Sequence, residues 1–375
     1  MTNNRTVGNI QTLRFLAAMW VFLHHMQTTS FSLQNSDLLN LFIGMGFIGV
    51  DLFFVISGFI MSITTRNTEP GFFSASQFLL RRFSRIYAGW WPFFFLYLAV
   101  YWYMGAIKPE HDLVGSFFLP PLYLQTYLNP VTWTLSFELY FYISLGLILL
   151  FTRRYVAIIL GLVATLLSIF CLNRWLNGMF QPDTSTPQTM YHYFFTNVMI
   201  IEFIAGFLIG EFQKLHNKKI LGPAILFALI FGITAFYYHN FIELYPSGMA
   251  GFSHAPERTI LIGGFSVCIV LIASTLENLG ISPLKNLQKL GNISYGLYLG
   301  HGLLLFVASD YLTNKLHIDI SSYGIISTIL ITAIAIIGSW IIYHYIEFPF
   351  NNLLKQNSLK LFRGSSNILN RIKRV

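Results

Sequence analysis

Residues 41–64 read LFIGMGFIGVDLFFVISGFIMSIT, a run of 24 positions with one ionisable side chain, Asp51. At 1.5 Å of rise per residue such a run is about 36 Å of helix, enough to cross the ~30 Å hydrocarbon core of a bilayer. The rest of the 375-residue chain agrees with it. Hydrophobic residues make up 55% and charged residues only 10%, with a mean hydropathy of +0.60. Soluble proteins carry about 25% charged residues, so two or three soluble domains are excluded, and most of this chain faces lipid or a bundle interior. No cleavable signal peptide is visible, because the first apolar run continues to Ser30 without a small-residue cleavage site. Cys171 and Cys268 lie inside apolar segments, which argues against a disulfide framework or a cysteine metal site.

The same length rule gives ten candidate spans, at about 11–31, 41–64, 86–107, 133–151, 155–173, 193–212, 220–240, 259–276, 291–312 and 323–346. The longest stretches between them are 65–85, 108–132 and 174–192. The second holds Pro109, Pro120, Pro121 and Pro130 around an apolar centre, and either re-enters the membrane or lies at its surface. With the N-terminus inside, 19 of the 23 lysines and arginines fall on the cytoplasmic side, and only Lys108, Arg174, Arg258 and Lys315 fall outside. A wrong helix count would scramble that alternation. The expectation is an all-α polytopic membrane protein with about ten transmembrane helices and both termini cytoplasmic. Residues 1–350 form its membrane domain and 351–375 a basic cytoplasmic tail.

Ionisable groups inside spans are costly and therefore candidates for function. They are His24, His25, Asp51, Glu138, Glu202, His301 and Glu347. In the first span His25 follows Arg14 by eleven residues, about 16 Å deeper and within about 20° of the same helical face. Guanidinium suits phosphate, and imidazole suits proton transfer near neutral pH; positive-inside anchoring and interhelical bonding explain the two residues as well. Arg82 and Arg85, at the cytoplasmic start of the third predicted span, share a helical face and make a fork for an anion, or a topology signal. Glu138, one to two turns below the outer surface, is placed to orient an imidazole, accept a proton or bind a sugar hydroxyl. Trp133 suits stacking on a sugar or an interfacial aromatic belt. Asp51 is expected to bridge helices, with an arginine as one partner, and the glycines near it (Gly44, Gly46, Gly49, Gly58) favour close packing. His301 shares a face with Ser294 and lines the bundle interior. Glu202 has no evident partner.

Taken together, these motifs resemble the membrane-bound acyltransferase-3 family, especially its exopolysaccharide and O-antigen O-acetyltransferase branch. The resemblance rests on Asn9 to Ala18 followed by His25, the R-x10-H pattern; on Gly49 to Phe59; on the R-x-x-R pair Arg82 and Arg85 with Ile86-Tyr87; on Trp133-Thr134-Leu135-Ser136-Phe137-Glu138; on Gly291 to His301; and on Glu347-Phe348-Pro349. Six motifs in order cover nearly the whole chain. The departure is at Ala88-Gly89, where the family often has Pro and this chain has none before Pro92, which shifts the expected start of the third helix. Only about 25 residues follow the last span, so the soluble esterase-like domain that some relatives carry is not expected.

The resemblance implies transfer of an acetyl or other short acyl group from cytoplasmic acyl-CoA to a hydroxyl of an extracytoplasmic polysaccharide or its lipid-linked precursor. Acetyl-CoA is then a co-substrate rather than a bound cofactor. Arg14, Arg82 and Arg85 would hold it, His25 would act as general base with Glu138 orienting it or gripping the acceptor, and Trp133, Ser136 and His301 would contact substrate. Direct transfer is favoured over an acyl-enzyme, because no Ser or Cys sits in an activated setting. Acceptor selectivity is expected from loops about 108–132, 174–192 and 241–258, through Tyr123, Tyr127, Trp175, Tyr191, Tyr245 and His254. The partners implied are the acyl-CoA donor, the glycan and the lipid bilayer of the bacterial inner membrane. A homodimer is compatible with the sequence. No metal site is suggested, and basic residues that follow the membrane rather than form a stripe argue against nucleic acid. The competing class is a multi-spanning transporter or channel for a small solute, for which buried charges are ordinary; the absence of inverted-repeat signs and the one-sided arginine cluster count against it.

Overall fold

The computed structural model describes residues 8–28, 37–179, 187–242, 256–283, 285–317 and 325–354. Among these the chain is helical and contains no strand. The helices are α1 (Gly8–Thr28), α2 (Asp37–Gly44), α3 (Ile48–Thr65), α4 (Phe72–Met104), α5 (Leu113–Phe118), α6 (Trp133–Phe151) and α7 (Val156–Leu176). They continue as α8 (Pro187–Phe195), α9 (Met199–Glu211), α10 (Lys218–Phe241), α11 (Gly264–Asn278), α12 (Lys285–Leu290), α13 (Ser294–Phe306) and α14 (Ile325–Ile342). Seven helical stretches are long and apolar enough to cross a membrane: Leu38–Thr65, Pro130–Phe151, Val156–Leu176, Met190–Glu211, Lys218–Phe241, Arg258–Asn278 and Ile326–Leu354. Helices stand at the other three predicted positions too, but their composition is less apolar or their length shorter. α1 carries Arg14, His24 and His25, α4 is rich in Trp and Tyr and holds Pro92, and α13 spans 13 residues before a π-helical turn, Val307–Lys315.

α3 is the central element, packed on α1, α9 and α11. Its seam with α9 is a backbone-to-backbone contact. A Cβ added at Gly58 would overlap the carbonyl of Phe203, and one at Gly206 would overlap that of Val55. Small residues allow that approach where lipid supplies no hydrophobic drive between helices. Around the seam, rings interlock, with Phe141 stacked on Phe203 at 4.2 Å and Phe137 on Phe194 at 4.0 Å. Helices α7, α10 and α14 lie at the periphery and expose large aliphatic side chains such as Leu166, Ile233 and Ile329, as helices facing lipid do.

Two expectations are corrected. The third predicted span was placed at 86–107, with Arg82 and Arg85 before its start, yet α4 begins at Phe72 and runs 33 residues. The apolar series Ala75, Phe78 and Ile86 is buried on one side of it, so packing carries the helix through the charged run, and Pro92 sits inside it. At ~1.5 Å per residue α4 is about 50 Å long, more than a bilayer core needs. Arg258, read from sequence as an outer-loop cation, is instead buried in a π-helical turn, Arg258–Gly263, that leads into α11.

The proline-rich stretch 108–132 is docked onto α4 and α6. Asp112 caps α5 by accepting from Gly115 N. The Trp90 indole donates to Ser116 O, Tyr87 to Phe118 O and Tyr127 to Pro120 O.

Candidate active site

α1, α3, α4, α6 and α13 together line a partly open cavity. Its walls are mostly apolar on α3 (Val50, Phe53, Phe54, Ile60, with Ser57 the polar exception) and carry Arg14, Arg85, Thr134, Glu138, Tyr142, Tyr295 and Tyr298 from the other helices. Arg14 reaches it from α1 while donating to Gln11 Oε1 at 3.3 Å. Arg85 reaches it from α4, and the two guanidiniums lie within electrostatic reach of each other, of Glu138 and of Glu347. Glu347 ends a π-helical turn, Tyr343–Glu347, and its Oε2 is buried without a hydrogen-bond partner among the described residues. Like charges gathered in a partly closed cavity attract an anion, and two arginines are suited to phosphate.

Arg82 behaves differently from its neighbour. Its Nη2 donates to Thr64 Oγ1 at 2.8 Å, and its guanidinium lies over the rings of Phe78 and Tyr142 at 5.7 and 5.8 Å. It does not line the cavity, so the fork expected from the R-x-x-R spacing opens: Arg85 points into the space and Arg82 ties α4 to α3. Three residues on a helix share a face only to within about 60°, which here is enough to separate the two.

Glu138 accepts from Ser57 Oγ at 3.2 Å and from the Tyr142 hydroxyl, one turn further along α6. It is therefore engaged across the α3–α6 contact, and among the described residues its hydrogen bonds go to Ser57 and Tyr142. The His25 ring is 5.0 Å from that of His301, and His301 is 5.9 Å from Tyr298, which lines the cavity. His25 and His301 are thus brought together, but one residue behind the cavity wall. The Nδ1 of His25 is 3.0 Å from Val21 O and that of His301 is 3.3 Å from Leu297 O. A carbonyl only accepts, so in the neutral ring each Nδ1 carries the proton and each Nε2 the lone pair. Tyr298 is fixed in turn by Thr134 Oγ1 at 3.1 Å and Val131 O at 3.3 Å.

Ser136 is buried and bonded to Tyr127 at 2.7 Å and to Pro120 O at 3.4 Å; it holds the 108–132 stretch on α6 and lines neither cavity described here. Trp133 lines a second cavity with Tyr123, Gln125, Tyr127, Phe137 and Tyr193. The first turns of α6 form the partition, because Thr134, Leu135 and Glu138 face one space while Trp133 and Phe137 face the other. Of the other residues expected to select the acceptor, Trp175 is on α7 and Tyr191 on α8, whereas Tyr245 and His254 lie outside the described residues. The tail from 355 onward also lies outside them.

Sequence reading did not single out Ser57, Tyr142, Tyr295 and Tyr298 as site residues. Their signal was present only in part: Tyr295 and Tyr298 sit three apart in the late motif, and Tyr298 is three before His301. Asp51 meets the expectation of an arginine partner. Arg258 Nη2 contacts both its oxygens, at 2.9 and 2.8 Å, with both side chains buried.

Fold and cavity define a polytopic helical membrane protein with a charged, aromatic-walled cavity next to a buried imidazole pair. The chain belongs to the acyltransferase 3 family (acyltransferase domain), whose pattern matches residues 7–344. It is similar to the exopolysaccharide production protein ExoZ of Rhizobium meliloti (strain 1021), 27% identical over 289 residues that cover 71% of this chain and 78% of ExoZ. It is similar to BcsY of Komagataeibacter xylinus, 26% identical over 295 residues, 72% of this chain and 69% of that protein. The peptidoglycan O-acetyltransferase OatA of Listeria monocytogenes serovar 1/2a is 24% identical over 398 residues, covering 96% of this chain and 58% of OatA. No solved structure matches.

Proposed function

We propose that this protein is a membrane O-acyltransferase that moves an acetyl or other short acyl group from cytoplasmic acyl-CoA to a hydroxyl of an extracytoplasmic polysaccharide or its lipid-linked precursor. The observation that carries the reading is the continuity of α1, which delivers Arg14 to a cavity shared with Arg85 and, about 16 Å along, His25 to a buried pair with His301. The names of ExoZ and OatA, which concern exopolysaccharide and peptidoglycan, support a glycan acceptor. On this reading the chain crosses the bacterial inner membrane ten times with both termini cytoplasmic, α1, α4 and α13 supplying the three crossings beyond the seven apolar stretches.

Arg14 and Arg85 hold the CoA phosphates, and the extended pantetheine arm carries the thioester toward His25. The acceptor hydroxyl gives its proton to His25 Nε2 as its oxygen attacks the thioester carbonyl. The carbon–sulfur bond then breaks, and the leaving sulfur takes the proton back from His25, so the products are acylated glycan and CoA thiol. Glu138, held by Ser57 and Tyr142, grips ligand in the cavity and offsets arginine charge. Trp133 and its aromatic neighbours in the second cavity face the acceptor.

The test is transfer of labelled acetyl from acetyl-CoA to an envelope-glycan fraction by wild type and His25→Ala in proteoliposomes, with acetyl-CoA binding measured on both. Wild-type transfer that is lost in His25→Ala with binding retained supports the reading. Wild type that binds no acyl-CoA ends it, and transfer that survives in His25→Ala removes His25 as base.

A further inference from the structure

Away from the cavity, three charged side chains from three elements meet in the interior: Asp51 on α3, Glu202 on α9 and Arg258 at the head of α11, exposed by only 0%, 1% and 2%. Arg258 spends its Nη2 on Asp51, while its Nε and Nη1 find no partner among the described residues. Glu202 lies within side-chain hydrogen-bonding reach of Asp51, yet neither of its oxygens accepts a hydrogen bond from any described donor. The space beside it is kept open by Gly263, where an added Cβ would come within 3.1 Å of Glu202 Oε1.

Two ionised carboxylates against one guanidinium would leave a net negative charge in a dry interior and press two acceptors together with nothing to share. The other described ionisable side chains near the cluster do not supply the missing positive charge. His24 on α1 and His239 on α10 both pack on the ring of Phe47, which also lies under Arg258 at 5.7 Å, and neither donates to Glu202. Glu257, preceding Arg258, would only add negative charge.

We propose that this triad is a buried proton-binding site, in which Glu202 is a neutral carboxylic acid that donates its proton to Asp51 while Asp51 remains the ionised partner of Arg258. One proton makes the cluster neutral and turns a carboxylate–carboxylate clash into a hydrogen bond joining α3 to α9. Because α3 also carries Phe53, Phe54 and Ser57 into the cavity, the proton also fixes that wall. This inference does not depend on the acyl-transfer reading.

The test uses the full-length protein in lipid nanodiscs as wild type, Glu202→Gln and the double variant Asp51→Asn/Glu202→Gln. Infrared difference spectra between wild type and Glu202→Gln are expected to contain the carbonyl stretch of a protonated carboxylic acid. Glu202→Gln, a neutral isostere of a neutral acid, is expected to keep its thermal midpoint within about 2 °C of wild type. The double variant strands Arg258 and is expected to fall by roughly 10 °C or not to accumulate. The proposal is overturned if the acid band is absent from the difference spectrum, or if Glu202→Gln is destabilised or lost as severely as the double variant.

Discussion

The separation of Arg82 from Arg85 gives a sharp test of the cavity. In Arg85→Gln the guanidinium facing the cavity is removed and a shorter, neutral amide is left in its place. A hydrogen bond to a charged group contributes about 1.5–3 kcal/mol, and 1.4 kcal/mol is a factor of ten, so affinity for acetyl-CoA should fall about 10- to 150-fold. Arg14→Gln should lose a similar amount. Arg82→Gln should leave affinity within about threefold, because Arg82 is occupied by Thr64 and by the faces of Phe78 and Tyr142. Its cost appears in stability instead: one hydrogen bond and two cation–π contacts, together about 1.5–3.5 kcal/mol, or a thermal midpoint lower by roughly 2–4 °C for a chain of this length. The assay is equilibrium binding of acetyl-CoA to nanodisc-embedded protein, with thermal unfolding on the same samples. Equal loss of binding in Arg82→Gln and Arg85→Gln would restore the fork and refute the reasoning, as would an Arg85→Gln variant that binds like wild type.

His25→Asn should lower transfer by about 10²–10⁴, the usual span for a general base, with acetyl-CoA affinity unchanged; a parallel loss of binding would assign His25 to the donor pocket instead. At the α3–α9 seam, Gly206→Val should cost at least about 1–3 kcal/mol, since the obstacle is the Val55 backbone, whereas Gly161→Ala on α7, with nothing within 4 Å, should be neutral or slightly stabilising. Thermal midpoints of the two variants read this directly. His216, in the turn between α9 and α10 and 3.0 Å from Ser274 Oγ, is held below its ordinary value of 6.5 by burial. Its folded form therefore binds its proton later than the unfolded chain does, so its stabilising contribution is complete above about pH 6.5 and is lost as pH falls toward the lower folded value. Unfolding scans from pH 7.5 to 5 should show that loss in wild type, and a smaller one in His216→Asn.

What the sequence makes legible follows from how locally each feature is encoded. Apolar runs report on the solvent around a helix, so helices appear at all ten predicted positions. Charges mislead where packing overrides them. Arg81, Arg82 and Arg85 argue for a loop before the third span, while Ala75, Phe78 and Ile86 hold the same residues in helix. Arg258 counts as an outer cation until Asp51, 207 positions earlier, is seen to neutralise it. Partnerships of that range are invisible to periodicity, which is why Glu202 has no role on sequence grounds and why Glu138 is paired in expectation with His25 rather than with Ser57 and Tyr142.

On the proposed reading, the spacing of anion site and base does not depend on loops. Arg14 and His25 belong to one 21-residue helix without a proline or a break, so covalent geometry fixes both their separation and their relative rotation. That helix is locked in place by close approaches: Gly49 of α3 lies against the Ala17 carbonyl, and Gly291, just ahead of α13, against that of Gln11. A catalytic group carried by a rigid, tightly packed helix is held more narrowly than one on a loop. Of the residues expected to select the acceptor, Tyr123 and Tyr127 sit on the 108–132 stretch and line the cavity beyond the α6 partition, while Trp175 is at the end of α7 and Tyr191 within α8. The two halves of the task are then separable in the fold, with donor geometry set by α1 and acceptor choice open to change in connecting segments that can vary without moving Arg14 relative to His25.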